Sequence, residues 1–316
     1  MESLVKRIVP LLLVSLLAFI TVQCNKDENN PVTPPVTTLK APTNLRAYSA
    51  SISSVGLLWD LSASESDTAF VNYALTVKNS LGSTVASQSI TKGNPTTTVT
   101  GLTEGVIYTF VLRSAGTGGA LSPDSASVVW SPARRLTTDS TNGPPIQVYE
   151  FASTLGASGL QFYSVSSGSA RVQSLNVSNP DRALSDVYVQ TNNNGSISLS
   201  DLASSGLGNP KNTRFSTTVR DATDLDDPML APPAIGTYTL VTVPIPSTVA
   251  TQAKILYAKS VTDNKYVRIL LKMNLGTNLL YSGTSPNRYI TVQLSYQDST
   301  GNMYCRPLAW PSDKKE

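Results

Sequence analysis

The chain contains no histidine. That excludes Ser-His-Asp and Cys-His nucleophile systems, and every imidazole ligand to zinc, copper or haem iron. Its 316 residues include two cysteines, Cys24 and Cys305, too few for a disulfide framework. Charged residues make up 14% of the chain and the formal net charge is only +3. With no Lys/Arg cluster, the electrostatic footprint of a nucleic-acid binder is missing. Also missing is an apolar run of the roughly 20 residues that a comfortable bilayer span needs. What the chain does have is Ser, Thr, Asn, Gly and Pro in abundance, with recurring β-branched residues. That composition belongs to extracellular β-sheet modules rather than to a cytosolic enzyme or a helical bundle.

The one concentrated apolar run is 8–22, preceded by Lys6 and Arg7 and followed, after Gln23, by Cys24. A positive start followed by a short hydrophobic stretch is the pattern of a signal peptide. Residues 16–24 resemble a bacterial lipobox, with Gln23 standing where such motifs carry a small residue. The acidic pair Asp27-Glu28 resembles the surface-export signal of Bacteroidetes-type lipoproteins. The resemblance implies removal of residues 1–23, lipidation of Cys24 and attachment to the outer membrane at the cell surface. Each acyl chain would add about 0.8 kcal/mol of membrane affinity per buried CH₂. Cys305 is then left without an intramolecular partner, and its flanking Tyr304 and Leu308 mark it as a core residue.

Residues 24–40 are polar and contain Pro31, Pro34 and Pro35, so they read as an extended tether. Residues 41–138 show seven short runs with strand character, at 44–49, 54–58, 72–78, 85–90, 96–100, 107–114 and 125–130. Seven short strands with turn signals between them fit a two-sheet sandwich. Within them, Trp59 closes the second run, and Leu102 precedes Tyr108 at the start of the sixth. The segment resembles a fibronectin type III domain over its whole length. By that resemblance Trp59 is the core tryptophan, and Leu102 with Tyr108 forms the tyrosine corner. Both roles are structural. No Arg-Gly-Asp tripeptide is present, so no cell-adhesion receptor follows. Thr68, Ser125 and Ser140, each after an aspartate, resemble Bacteroidetes O-glycosylation sites.

Residues 139–145 read as a linker, 146–312 as a second and larger β-rich domain, and 313–316 as a charged tail. Strand runs are expected at 147–151, 161–166, 171–177, 185–190, 196–199, 214–219, 237–243, 255–261, 266–273 and 289–296. In 266–273, Val267, Ile269, Leu271 and Met273 share a face; in 289–296, Ile290, Val292, Leu294 and Tyr296 do. Period two with β-branched and aromatic residues argues half-buried antiparallel strands. Asn192–Gly195 and 262–265 are hairpin turns, and 200–205 reads as a helical turn capped by Ser200 and ended by Gly206. The fold class expected is therefore all-β, a fibronectin type III-like sandwich followed by a larger antiparallel β-rich domain.

Within the second domain, 184–192, 255–270 and 289–297 resemble the layout of HmuY-type haem-binding lipoproteins. That family takes haem through paired His or Met side chains, so in this chain the resemblance points to Met229 and Met303 as ligands, Met273 being a core residue. Asp224, Asp226 and Asp227 place several carboxylates in one loop, the chemistry of a Ca²⁺ site. Their spacing is not that of an EF-hand, and a solvated loop is the other reading. Tyr163, Tyr188, Tyr257, Tyr281 and Trp310 are candidates for a stacking platform, or else core and cross-strand residues.

No catalytic constellation is present. The functional expectation is a non-enzymatic surface lipoprotein with no cofactor of its own and no affinity for nucleic acid. It would hold to the membrane through Cys24 and offer a β-rich domain to a protein, glycan or small-molecule ligand. Two alternatives for that domain are HmuY-like haem or tetrapyrrole binding and a carbohydrate-binding module.

Overall fold

A computed structural model describes residues 38–139, 143–207, 211–217, 219–226 and 238–305. Residues from Leu39 onward form one compact unit, built as two consecutive β-sandwiches. Among the described residues no helix is long and apolar enough to cross a membrane.

The first sandwich has a sheet of β1 (Thr43–Ser51), β2 (Ser54–Asp60) and β5 (Thr96–Val99) facing a sheet of β4 (Thr84–Thr91), β3 (Phe70–Lys78), β6 (Tyr108–Gly116) and β7 (Ala126–Trp130). All seven expected strands are present, each within about two residues of its expected ends. Alternation along them sends Ala47, Leu57, Trp59, Tyr73, Leu75, Phe110 and Leu112 into one interior. Each of the larger apolar side chains contributes about 1.5–3 kcal/mol by leaving water. Trp59 meets the Tyr73 ring edge-on at 5.6 Å. The Tyr73 hydroxyl accepts from the Ser62 N–H at 2.8 Å and donates to Glu65 at 2.7 Å. Tyr108 behaves as expected of a tyrosine corner: its ring is buried and its hydroxyl accepts from the Thr103 N–H at 3.1 Å.

The second sandwich has a five-stranded sheet in the order β11 (Ser169–Gln173), β10 (Gly159–Ser164), β12 (Val187–Thr191), β13 (Ile197–Asp201) and β17 (Thr242–Ile245). It faces an eight-stranded sheet with the path β16 (Tyr238–Leu240), β14 (Thr213–Ser216), β18 (Ala253–Ser260), β19 (Lys265–Leu271), β20 (Tyr289–Gln297) and β8 (Arg134–Leu136). Two more strands join that path at its sides, β15 (Arg220–Ala222) on β18 and β9 (Ile146–Tyr149) on β20. Leu160, Phe162, Val189, Leu199, Phe215, Leu256, Ile269, Val292 and Leu294 fill the space between the sheets.

Several expectations change here. The run 237–243 is not one strand: β16 pairs with β14 in one sheet and β17 with β13 in the other. The chain crosses between sheets at Val241, whose carbonyl accepts from the Asp201 N–H at 2.8 Å. β19 is buried on both faces rather than one. Val267, Ile269 and Leu271 face the core, while Leu270 packs with Ala222, Leu225 and Ile255, and Tyr266 packs with Ala133 and Cys305. Cys305 is buried, as its neighbours suggested. The helical turn is a 3₁₀ turn, Leu202–Ser205, capped by Asp201 instead of Ser200. Asp201 accepts from the Ser204 N–H at 3.1 Å, and Gly206 ends the turn at φ +72°, which favours glycine.

β8 was not foreseen, and it joins the two sandwiches. Three residues after β7 ends at Trp130, the chain pairs Arg134 with Tyr296 and Leu136 with Leu294. Side chains lock the passage. Gln297 donates to the Pro132 carbonyl at 3.2 Å, and Asn302 donates to the Gly105 carbonyl at 2.9 Å and to the Ser131 hydroxyl at 3.2 Å. Tyr304 packs edge-on to Trp130 at 6.4 Å. The described part of 139–145 is held at the margin of the second sandwich. Thr138 bridges Pro145, and Asp139 accepts from the Val172 N–H of β11 at 2.5 Å.

Candidate functional site

Cys24, Met229, Asp227 and Trp310 lie outside the described residues. Met303 packs against the cluster of Ala133, Tyr266 and Cys305, and its carbonyl accepts from the Cys305 thiol at 3.8 Å. Asp224 accepts from the Asp226 N–H at 2.8 Å, and Asp226 pairs with Arg135 of β8. Among the described residues no group of three His, Cys, Asp or Glu side chains converges as metal ligands do. The four described tyrosines of the aromatic set do not form one platform. Tyr188 and Tyr257 are buried, Tyr163 stacks on Tyr296 at 5.5 Å, and Tyr281 is half-buried elsewhere.

Charge in the second sandwich gathers in two places. In the first, Glu150 is fully buried and receives both arms of Arg288, Nε to Oε1 at 2.9 Å and an Nη to Oε2 at 2.7 Å. The Arg288 N–H adds a third bond at 2.9 Å, and Thr191 a fourth at 3.2 Å. Burial alone would raise the Glu150 carboxyl, but the Arg288 bonds outweigh it and hold it below the usual carboxylate range. Arg288 also donates to the Gly195 carbonyl at 2.8 Å. It thereby fixes the Asn192–Gly195 turn, where Gly195 sits at φ +79°.

The second place is the end of the sandwich nearest β8. Asp186 is buried and accepts from the Phe162 N–H at 2.7 Å. Lys211 lies 3.3 Å from Asp186 and 3.0 Å from Asp263. Burial pushes the Asp186 carboxyl up to about 6 despite Lys211. Arg134 sits 4.5 Å over the Tyr163 ring and 2.8 Å from Glu104 of the first sandwich. Burial also raises the Tyr296 hydroxyl well above its ordinary value. Each charge here has a partner of opposite sign, so the cluster reads as a paired plug that leaves little for a ligand.

A groove of about 210 Å³ is different. It is lined by Thr137 after β8, Pro145 before β9, Lys272 and Met273 after β19, the loop residues Asn274, Tyr281 and Ser282, and Thr291, Val292 and Gln293 of β20. The topology creates it. β8 and β9 both pair with β20, and the chain leaves β20 between them, opposite Gln293. On β20, Ile290, Val292 and Leu294 are buried while Thr291 and Gln293 alternate with them and are half-buried. Lys272 is anchored by its N–H to the Thr291 carbonyl at 2.8 Å, and the rim is pinned by Asn274 donating to Ser282 at 2.6 Å. Neither Lys272 nor Thr137 stood out in the sequence. The readable signal was the polar alternate face of 289–296.

Residues 40–130 match the family model for the fibronectin type III domain, so the chain contains such a domain as its first sandwich. No curated protein matches the chain. Similar solved structures include a myokine (17% identity, 29% of this chain and 97% of that one, TM-score 0.25). Others are the FN5 domain of Drosophila Lar (14%, 30% and 96%, TM-score 0.25) and an FN3 domain of human collagen XX (22%, 29% and 92%, TM-score 0.25).

Proposed function

We propose that the protein is a non-enzymatic bacterial lipoprotein, anchored through Cys24 at the outer-membrane surface. The fibronectin type III domain serves as a spacer, and the second sandwich is the part that binds a partner or ligand. One observation carries this reading: the two sandwiches are joined by a shared strand ladder rather than a loose tether. β8 continues directly from the first sandwich into the eight-stranded sheet, and Gln297, Asn302 and Tyr304 reach back to lock it. A spacer fixed in this way sets the position of what it carries. The apolar run before Cys24 and the polar, proline-containing tether after it supply the attachment.

Mass spectrometry of the mature protein extracted from membranes tests the anchor. The expected N-terminus is Cys24 bearing a diacylglyceryl group and an N-acyl chain, and Cys24→Ala should move the protein to the soluble fraction. A mature N-terminus elsewhere, with an unmodified Cys24 thiol, would contradict it.

A further inference from the structure

We infer that the groove between β8, β9 and β20 binds a single sugar ring bearing a carboxylate, a uronic acid in chemical class. This rests on the reading above that the second sandwich is the binding part. Four side chains that line the groove, Thr137, Lys272, Thr291 and Gln293, make no side-chain hydrogen bond or ion pair with any described residue. Among the described residues their capacity is unspent, whereas the charged clusters at Glu150 and Asp186 are internally matched.

The chemistry of the lining selects the ligand. Among the described residues that line the groove, Lys272 is the one charged side chain and none is a carboxylate, so the ligand should bring a negative group. A charge-assisted bond to a carboxylate is about twice as strong as a neutral one. Thr137, Thr291 and Gln293 each both donate and accept, as sugar hydroxyls do. Met273 and Tyr281, both half-buried, supply apolar surface for the C–H face of a ring. Size sets the limit. At about 210 Å³ the groove falls below the ~300–1,000 Å³ of sites for drug-sized ligands, which leaves room for one ring. The groups project from strand ladders and a pinned turn, so little ordering opposes binding.

The test is calorimetric titration of the full mature chain in detergent with galacturonic acid, and with galactose and acetate as controls. Saturable binding of galacturonate is expected, at least about tenfold tighter than either control. Lys272→Gln should weaken galacturonate to the level of galactose. Lys259→Gln, a cation 5.2 Å over the Tyr266 ring and outside the groove, should change nothing. Trigalacturonate binding more tightly than the monomer would place the recognised ring at the end of a glycan chain; equal or weaker binding would make it the free sugar acid. Three results overturn the inference: no saturation with galacturonate, acetate binding as well as the sugar acid, or an unchanged affinity in Lys272→Gln. None of them bears on lipidation of Cys24, so the groove and the anchor fail separately.

Discussion

Among the described residues, the first sandwich buries no charged side chain, and its buried polar residues are all serines. The second sandwich buries Glu150, Asp186, Asp201, Arg268 and Arg288. A core built from Trp59, Tyr73, Phe110 and Trp130 is held by packing and by the edge-on ring contacts of aromatics. Buried ions are another matter, since removing them from water costs several kcal/mol each unless partners compensate. In the second sandwich Glu150 and Arg288 compensate each other, Lys211 and a backbone N–H compensate Asp186 in part, Arg214 meets Asp201 at 2.7 Å, and Arg268 lies 5.9 Å over the Tyr257 ring. The difference separates a sandwich held by apolar and aromatic packing from one whose buried polar groups position loops and edges. The groove belongs to the second kind, on the margin where those edges meet.

The contrast can be broken from either side. Glu150→Ala should be the most damaging change, costing about 3–5 kcal/mol, because it strands the Arg288 guanidinium in the interior. Trp59→Ala should cost a comparable 3–5 kcal/mol, through a cavity rather than a charge. Urea denaturation of both variants at low and high salt checks that both are interior effects, since neither loss should shrink much with screening. If Glu150→Ala is silent, the clamp does not hold the turn at Asn192–Gly195.

Asp186 gives the pH signature. Its folded-state carboxyl is raised to about 6, against an unfolded value near 3.9. The protonated form is therefore the stabilising one: its contribution is present below the unfolded value and is lost as pH rises through about 6. Asp186→Asn should remove about 3 kcal/mol of decline between pH 4 and pH 7, measured as the shift in urea midpoint at each pH. An equal decline in variant and parent would assign the pH dependence elsewhere.

Smaller effects sharpen the picture of the junction and of the corner. Asn302→Ala removes two bonds to the first sandwich and should cost about 1–2 kcal/mol. In a Trp310→Phe background it should also separate the tryptophan-fluorescence transition, which then reports Trp59 and Trp130, from the far-ultraviolet circular dichroism of the whole. Coincident curves in that variant would show that the strand ladder alone couples the two bodies. Tyr108→Phe deletes only the bond to Thr103 and should cost about 1 kcal/mol by thermal melting.

Much of the fold could be read from residue order because alternation is a local property. The seven strands of the first sandwich and the core face of β20 follow from spacing within a few residues, while the Trp59 core position and the Tyr108 corner come from the resemblance to a fibronectin type III domain. What escaped depends on distant partners. β8 is three residues long and opens with Arg134-Arg135, so no pattern marks it; pairing to Leu294 and Tyr296 makes it a strand. The outer face of β19 mixes Tyr266, Arg268 and Leu270, which reads as half-exposed until β15 and the segment around Leu225 cover it. The sheet switch at Val241 has no local signal either. The groove is the clearest case: Thr137, Lys272 and Gln293 come from three separate stretches, and only the gap between β8 and β9 brings them together.

The most direct measurement is labelling of intact cells with a membrane-impermeant amine reagent, followed by mass spectrometry of the labelled lysines. If the protein hangs outside the membrane with both sandwiches exposed, the exposed Lys92 of the first sandwich and Lys272 of the second should be modified before lysis. In Cys24→Ala the signal should leave the cell-associated fraction. Modification of both lysines only after lysis would contradict surface display.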